Sequence, residues 1–350
     1  MPEPENIVVD TATRIFNDLA DAQSIIQARD ARWTQPLWQA LSDAGLTLAW
    51  VPENCGGSGA DLADGFGVIQ AAGRAALAVP LAETLIAGWL LAQAGLASPS
   101  GAMTVAPATP GDRIAIARDG TLSGRARRVP FARDSGHIAV LADGPAIALV
   151  ATSACRVTEG ENLAGEPSST VVFDGAVAVA RAAAPQGCDT ARLLQMGAIV
   201  RSLQMAGALE TALEITVRYA NERVAFERPI SKFQAVQHNL ARLAGEVAAA
   251  VTAASSAADA FAHGASGDAL LLEAAAAKIR CGEAAEAASA IAHQVHGAIG
   301  FTSEHILHRF TLRALGWRDD FGHESHWAVT LGQRVAALGA DDLWPLVAAR

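Results

Sequence analysis

The chain has 350 residues, 51% hydrophobic and 18% charged, so it is long and apolar enough to bury two or three cores and lacks the polar bias of a disordered chain. A formal net charge of -10 argues against a ligand gripped by phosphate neutralisation, which excludes nucleic acid as the expected partner. The four cysteines, Cys55, Cys155, Cys188 and Cys281, show neither metal-ligand nor disulfide spacing; a reducing cytoplasm is expected and no metal site.

The N-terminal segment MPEPENIVVDTATRIF has no basic stretch ahead of an apolar run, so no secretory leader is expected. Between residues 11 and 97 apolar side chains recur at helical spacing, as at Leu37, Leu41 and Leu46, with breaks at 52–59 and at Pro80. The most apolar stretch, 85–97, is too short to span a bilayer and reads as a buried helix. From 103 to 182 the pattern changes to short apolar runs bounded by Gly, Asp and Pro, namely 113–117, 137–142, 146–151, 169–173 and 176–180, which reads as a small antiparallel β domain. From 189 onward it is helical again, with Ile199, Leu203, Ala206 and Leu213 on one face and mostly small residues over 244–260, as in a bundle of closely packed helices. The expected fold is α+β and multi-domain: an N-terminal helical domain (1–100), a middle antiparallel β domain (101–187) and a C-terminal four-helix bundle (188–350).

Several chemistries are excluded by what is missing. The sole tyrosine, Tyr219, is followed four residues later by Arg223, so no Tyr-x-x-x-Lys pair exists. No GxGxxG follows a strand, and neither GxxxxGK[ST] nor GxSxG occurs. Two segments remain. In RYANERVAFERPISKFQAVQH (218–238) a helix is expected to end near Phe226 and another to begin near Phe233, on either side of Pro229. Arg223 offers a planar fork for phosphate, Phe226 and Phe233 offer ring faces, and Gln234 a polar contact; the same residues also read as a surface turn with a salt bridge and two core phenylalanines. In QVHGAIGF (294–301) the glycines either admit a ligand phosphate close to backbone N–H groups or end the helix. The pairs His305/His308 and His323/His326 lack further ligands and read as ordinary histidines.

Together the two segments resemble the C-terminal domain of the acyl-CoA dehydrogenase family. LTLAWVPENCGG (46–57) and PLAET (80–84) resemble its N-terminal domain, and LSGRARRVPFA (122–132) its middle β domain. The resemblance implies an FAD flavoprotein that removes the α-proton and β-hydride of an acyl-CoA thioester to give a trans-2-enoyl-CoA, with electron-transfer flavoprotein as the acceptor. It implies a flavin ring between the β domain and bundle of one subunit and the ADP half of FAD held by its neighbour. The residues matching the ADP-binding set are Arg223, Phe226, Phe233, Gln234, Gln294 and Gly297, with Glu227 and Ala298 where the family usually carries glycine.

The resemblance also exposes losses. The family's catalytic glutamate falls at Phe321 by counting from Gln294, or at Gly197 by counting back from Phe226, and neither side chain takes a proton. Asp320 is the candidate displaced base, with Asp319 and Glu324 behind it; the alternative for the two aspartates is a solvated or salt-bridging pair with Arg313 or Arg318. The T-E-P-x-x-G-S-D signature expected at the start of the β domain is absent from MTVAPATPGD (103–112). The family contains heteromeric members in which one subunit supplies base and flavin pocket and the other its ADP-binding loops, and the pattern matches the second kind. The alternatives are a homomeric enzyme using Asp320 and a non-catalytic acyl-CoA-binding or assembly module. A bulky, ring-bearing acyl group fits the small residues after Ala244, and the CoA charges would call for a basic patch such as Arg125, Arg127 and Arg128.

Overall fold

The computed structural model describes residues 6–28 and 30–348, so the first residues of the leader reading lie outside the described part. Five helices come first: α1 (Ile7–Leu19), α2 (Ala22–Ala28), α3 (Thr34–Asp43), α4 (Leu62–Arg74) and α5 (Leu81–Gln93). Asn6 starts α1 by accepting hydrogen bonds from the Val8 and Val9 N–H groups, and Ala12 and Phe16, four apart, form its buried stripe. The apolar stretch is a buried helix as expected: every residue of α5 from 81 to 91 is buried, Glu83 included.

Eight strands follow: β1 (Met103–Ala106), β2 (Arg113–Ile116), β3 (Thr121–Pro130), β4 (His137–Ala142), β5 (Ala146–Ala151), β6 (Arg156–Thr158), β7 (Ser168–Val177) and β8 (Ala180–Ala183). They form two four-stranded sheets, ordered β1-β4-β5-β8 and β2-β3-β7-β6. Ile138, Val140, Ala148 and Val150 of the first meet Leu122, Ala126, Val171 and Phe173 of the second in an apolar core. Met103, Val105, Ala139 and Leu141 point the other way and join the larger core that includes α5.

Three strand expectations are corrected. The pairing is antiparallel except between β1 and β4, which run parallel from Met103↔His137 to Ala106↔Val140. A parallel pair needs a long crossover, and residues 107–136 supply one by building β2 and β3 in the other sheet. The run expected at 169–173 continues past Gly175, which sits in a bulge between the pairs Leu122↔Ala176 and Ser123↔Asp174, so that the run expected at 176–180 is split, its start ending β7 at Val177 and its last residue opening β8. The third is β3, whose Arg125, Arg127 and Arg128 face outward while Leu122, Ala126 and Val129 face in, a charged outer face that masked the strand.

The C-terminal helices are α6 (Thr190–Glu222), α7 (Gln234–Ala262), α8 (Gly267–His296), α9 (Leu307–Trp317), α10 (Glu324–Leu338) and α11 (Ala340–Ala348). Helices α6, α7 and α8 pack on one another, α9 packs on α6 and α10 on α8. The small residues after Ala244 divide between two faces: Ala250, Ala254 and Ala257 are fully buried in this packing, while Ala248, Ala249, Thr252, Ala253 and Ser256 line an open groove of about 540 Å³ between α7 and α8. Among the described residues no helix is long and apolar enough to cross a membrane.

Candidate functional site

The two places expected for a base converge in space. Gly197 on α6 and Phe321, in the turn between α9 and α10, are 124 positions apart in sequence, yet a Cβ added to Gly197 would lie 2.2 Å from the Phe321 ring. The ring is seated on the bare backbone of Gly197 and is fully buried. Its own backbone is left-handed, with φ 53°, and its N–H donates to the Ala108 carbonyl at 3.0 Å. The start of the β region, where the T-E-P signature is missing, is therefore bonded directly to the turn that would carry the base.

Below this plug lies a buried ion cluster that sequence reading missed. Arg201, one turn after Gly197, is 2% exposed and donates to Glu83 Oε1 at 2.5 Å, to Asp320 Oδ2 at 2.9 Å and to Gln204 Oε1 at 2.5 Å. Its guanidinium also lies 5.9 Å from the Phe321 ring centroid. Burial pushes the Asp320 and Glu83 carboxyl groups above their usual range, and Arg201 opposes that shift in both. Lys278 of α8 is buried too, and its Nζ donates to the carbonyls of Arg318, Asp320 and Gly322, each at 2.7 Å. Burial pulls its pKa down to about 8, and the three bonds it donates use all three N–H groups of the ammonium form, so it is charged at neutral pH. The available signal was a lone charge inside an apolar run, as for Arg201 in IVRSLQ, since such charges are almost never buried unpaired.

Asp320 thus points at Arg201, and the expected ion pairs of the two aspartates are corrected. Asp319 pairs with Arg128 at 3.1 Å, Arg313 with Glu166 at 2.8 Å, and Arg318 with Glu324. Of the basic patch, Arg127 is paired with Asp112 at 2.7 Å and Arg128 with Asp319, which leaves Arg125 without an ion pair among the described residues. A cleft of about 690 Å³ opens between α3, the end of β3 and α9, bordered by Trp33, Trp38, Phe131, Glu166 and Arg313.

The second constellation faces outward at the other end of the bundle. Helix α6 ends at Glu222, earlier than expected, because a two-residue hairpin intervenes: Val224–Ala225 pairs with Arg228–Pro229. Phe226 and Glu227 form its tip with φ of 50° and 66°, the pattern of a type I′ turn, which explains why glycine would be the easier residue at 227. Phe226 is 89% exposed and meets Phe233 edge-on at 6.1 Å, while Arg228 lies over the Phe233 ring at 4.3 Å. Gln234 opens α7. Arg223, Gln234, Gln294, Gly297 and Ala298 are all exposed. Gly297 has φ 64° and nothing within 4 Å of where a Cβ would stand, so its backbone is open to approach; Ala298 needs no left-handed backbone and fits without strain. Tyr219 links the two loops, its hydroxyl donating to the His296 carbonyl at 3.2 Å.

With both loops in place, comparison with known proteins decides the family. Residues 3–98 match the model "Acyl-CoA dehydrogenase, N-terminal domain" and residues 189–318 match "Acyl-CoA dehydrogenase, C-terminal domain", together more than half the chain. The chain belongs to the acyl-CoA dehydrogenase family. It is 27% identical over 321 residues to acyl-CoA dehydrogenase IpdE2 of Mycobacterium tuberculosis, covering 90% of this chain and 92% of that protein. Its structure is similar to one in the crystal structure of the ChsE4-ChsE5 complex from Mycobacterium tuberculosis, with TM-score 0.83 and 25% identity, covering 95% of this chain and 97% of the other. It is equally similar to the Tcur3481-Tcur3483 steroid ACAD G363A variant, with TM-score 0.83 and 27% identity over 94% and 97% of the two chains. The helix, strand and helix order is thus that of an acyl-CoA dehydrogenase, and FAD is the cofactor of the family to which the chain belongs.

Proposed function

We propose that this chain is the base-lacking subunit of a heteromeric acyl-CoA dehydrogenase and lends its ADP-binding loops to the flavin held by a partner subunit. The observation that carries the reading is the Phe321 ring on Gly197, which fills the space of both base positions, together with the Phe321 N–H bond to Ala108 that closes the turn onto the β region. The isoalloxazine end of FAD does not fit this closed junction. The ADP end fits the other constellation: Arg223 for the pyrophosphate, Phe226 and Phe233 for packing, Gln234 and Gln294 as polar contacts, and the open backbone at Gly297 and Ala298. When bound, FAD supplies the hydride acceptor for the β-carbon of the acyl-CoA. This chain's own residues bind and orient its nucleotide half, and a carboxylate of the partner takes the α-proton, giving the trans-2-enoyl-CoA.

The steroid ACAD and the two-component complexes among the similar structures support a bulky, ring-bearing acyl group as substrate class and a homologous subunit as partner. Electron-transfer flavoprotein, as for the family, is the proposed acceptor, and four free cysteines suit a cytoplasmic setting. A homomeric enzyme with Asp320 as base is the weaker reading, because Asp320 is buried, bonded to Arg201 at 2.9 Å and aimed away from solvent. A non-catalytic module leaves the outward Arg223 and Gln294 loops unexplained. The test is the visible absorption spectrum of the purified chain, alone and co-expressed with a neighbouring homologue. Colourless protein that turns yellow with about one FAD per two different chains is expected. A full complement of FAD on the lone chain, with turnover abolished in Asp320→Asn, would overturn the reading in favour of the homomeric enzyme.

A further inference from the structure

The sole tyrosine sits between the two outward loops. Tyr219 is four residues before Arg223 on α6, and its hydroxyl donates to the carbonyl of His296, the residue immediately before Gly297. Its ring also stacks on the His296 imidazole, with centroids 4.4 Å apart and planes 25° apart, and His305 closes on both, 4.7 Å from His296 and 6.2 Å from Tyr219. No other hydrogen bond or ring contact found among the described residues joins the 219–223 segment to residues 296–301. Tyr219 is therefore the polar and aromatic link between the Arg223 and Gly297 loops, beside the direct packing of α6 on α8.

The hydrogen bonds specify uncharged imidazoles. His296 is 3% exposed; its Nδ1 lies 2.8 Å from the Ala292 carbonyl and must donate, while its Nε2 is buried with no partner among the described residues. A second proton at Nε2 would have no acceptor. His305 Nδ1 accepts the Leu307 N–H at 3.2 Å, so its one proton belongs on Nε2. The groups around the pair are mostly cations or bases: Arg218 on α6, His293 on α8 and His308 on α9, with Glu222 of α6 in the same small cleft as Arg218 and His305. Burial and these neighbours depress the pKa of His293, His296 and His305.

We propose that Tyr219 and His296 are positioning residues that hold the Arg223 and Gly297 loops at the spacing the ADP half of FAD needs, and that protonation of the imidazoles loosens this grip. The inference rests on the ADP-loop reading above. A displacement on the order of 1 Å between groups that bind one ligand is enough to weaken it severely.

The experiment titrates ADP calorimetrically into the full chain, whose loops alone are expected to bind it measurably but too weakly to retain FAD through purification, at about pH 7.5 and about pH 5.5, on either side of the ordinary histidine range. Amide exchange over residues 297–301 is followed in parallel. Tyr219→Phe keeps the ring and loses one hydrogen bond; it is expected to weaken ADP binding roughly fivefold to tenfold and to speed exchange in that loop. Arg223→Ala is expected to weaken binding without changing the exchange, since it removes a direct contact only. The unmodified chain loses affinity at the lower pH, and His296→Gln loses less than half as much. If Tyr219→Phe and His296→Gln bind ADP as the unmodified chain does at both pH values while Arg223→Ala does not, the positioning role is overturned and the loop reading stands. If ADP does not bind, or Arg223→Ala binds it unchanged, the loop reading falls and takes this inference with it.

Discussion

Phe321 and Arg201 do at single positions what the rest of the bundle does collectively: they fill and neutralise a space that would otherwise hold water or ligand. A buried phenylalanine truncated to alanine loses its transfer free energy and leaves a cavity, so Phe321→Ala is expected to cost about 3–5 kcal/mol in denaturant unfolding with an unchanged slope. Arg201 holds two carboxylates in a site with almost no solvent. Arg201→Met leaves Glu83 and Asp320 buried without their cation, and a loss of about 3–5 kcal/mol is expected by the same measurement. Neither role was legible from residue type alone. Counting from the motifs singled out Gly197 and Phe321, but that the two positions lie against each other required seeing them in contact.

At the scale of elements, the helices were readable because one apolar stripe per 3.6 residues is a local property, as at Ala12 and Phe16 or Ile199 and Leu203. Strand pairing was not, because parallel or antiparallel pairing depends on what residues 107–136 do in the other sheet. The crossing of α4 and α6 is a further case. A Cβ on Gly73 would stand 2.3 Å from the Gln204 carbonyl oxygen, and one on Gly207 would stand 2.2 Å from that of Gln70, so two glycines let the backbones touch. Helical glycine normally costs stability relative to alanine, so Gly207→Ala in an uncrowded helix would gain about 1 kcal/mol. Here the sign is reversed: Gly207→Ala is expected to lower stability by about 1–3 kcal/mol, read from the thermal midpoint.

For the whole molecule, the two ends of the bundle have opposite character. One end is closed by an aromatic plug and paired charges; the other exposes Phe226, Phe301 and Val224, at 89%, 74% and 57%, around the two outward loops. Serine at Phe226 and Phe301 is expected to leave the stability of the lone chain within about 0.5 kcal/mol, yet to weaken its association with the partner subunit by 2 kcal/mol or roughly more, measured by co-purification or analytical ultracentrifugation. The depressed histidines predict the pH response of the folded chain. An imidazole whose folded pKa lies below its unfolded value stabilises the fold fully above the unfolded pKa, and that contribution is lost as pH falls through it. The thermal midpoint is therefore expected to drop between about pH 7 and about pH 5.5, less steeply in His296→Gln. The sequence by itself determined the family, the order of helices and strands, and the identity of the residues at the positions proposed for the nucleotide loops and for the base, because these reside in local spacing and in residue identity at counted positions. Only the tertiary structure decided that Phe321 packs on Gly197, that Asp320 belongs to Arg201, and that Tyr219 bridges the loops, because each depends on residues some 80 to 120 positions apart meeting in space.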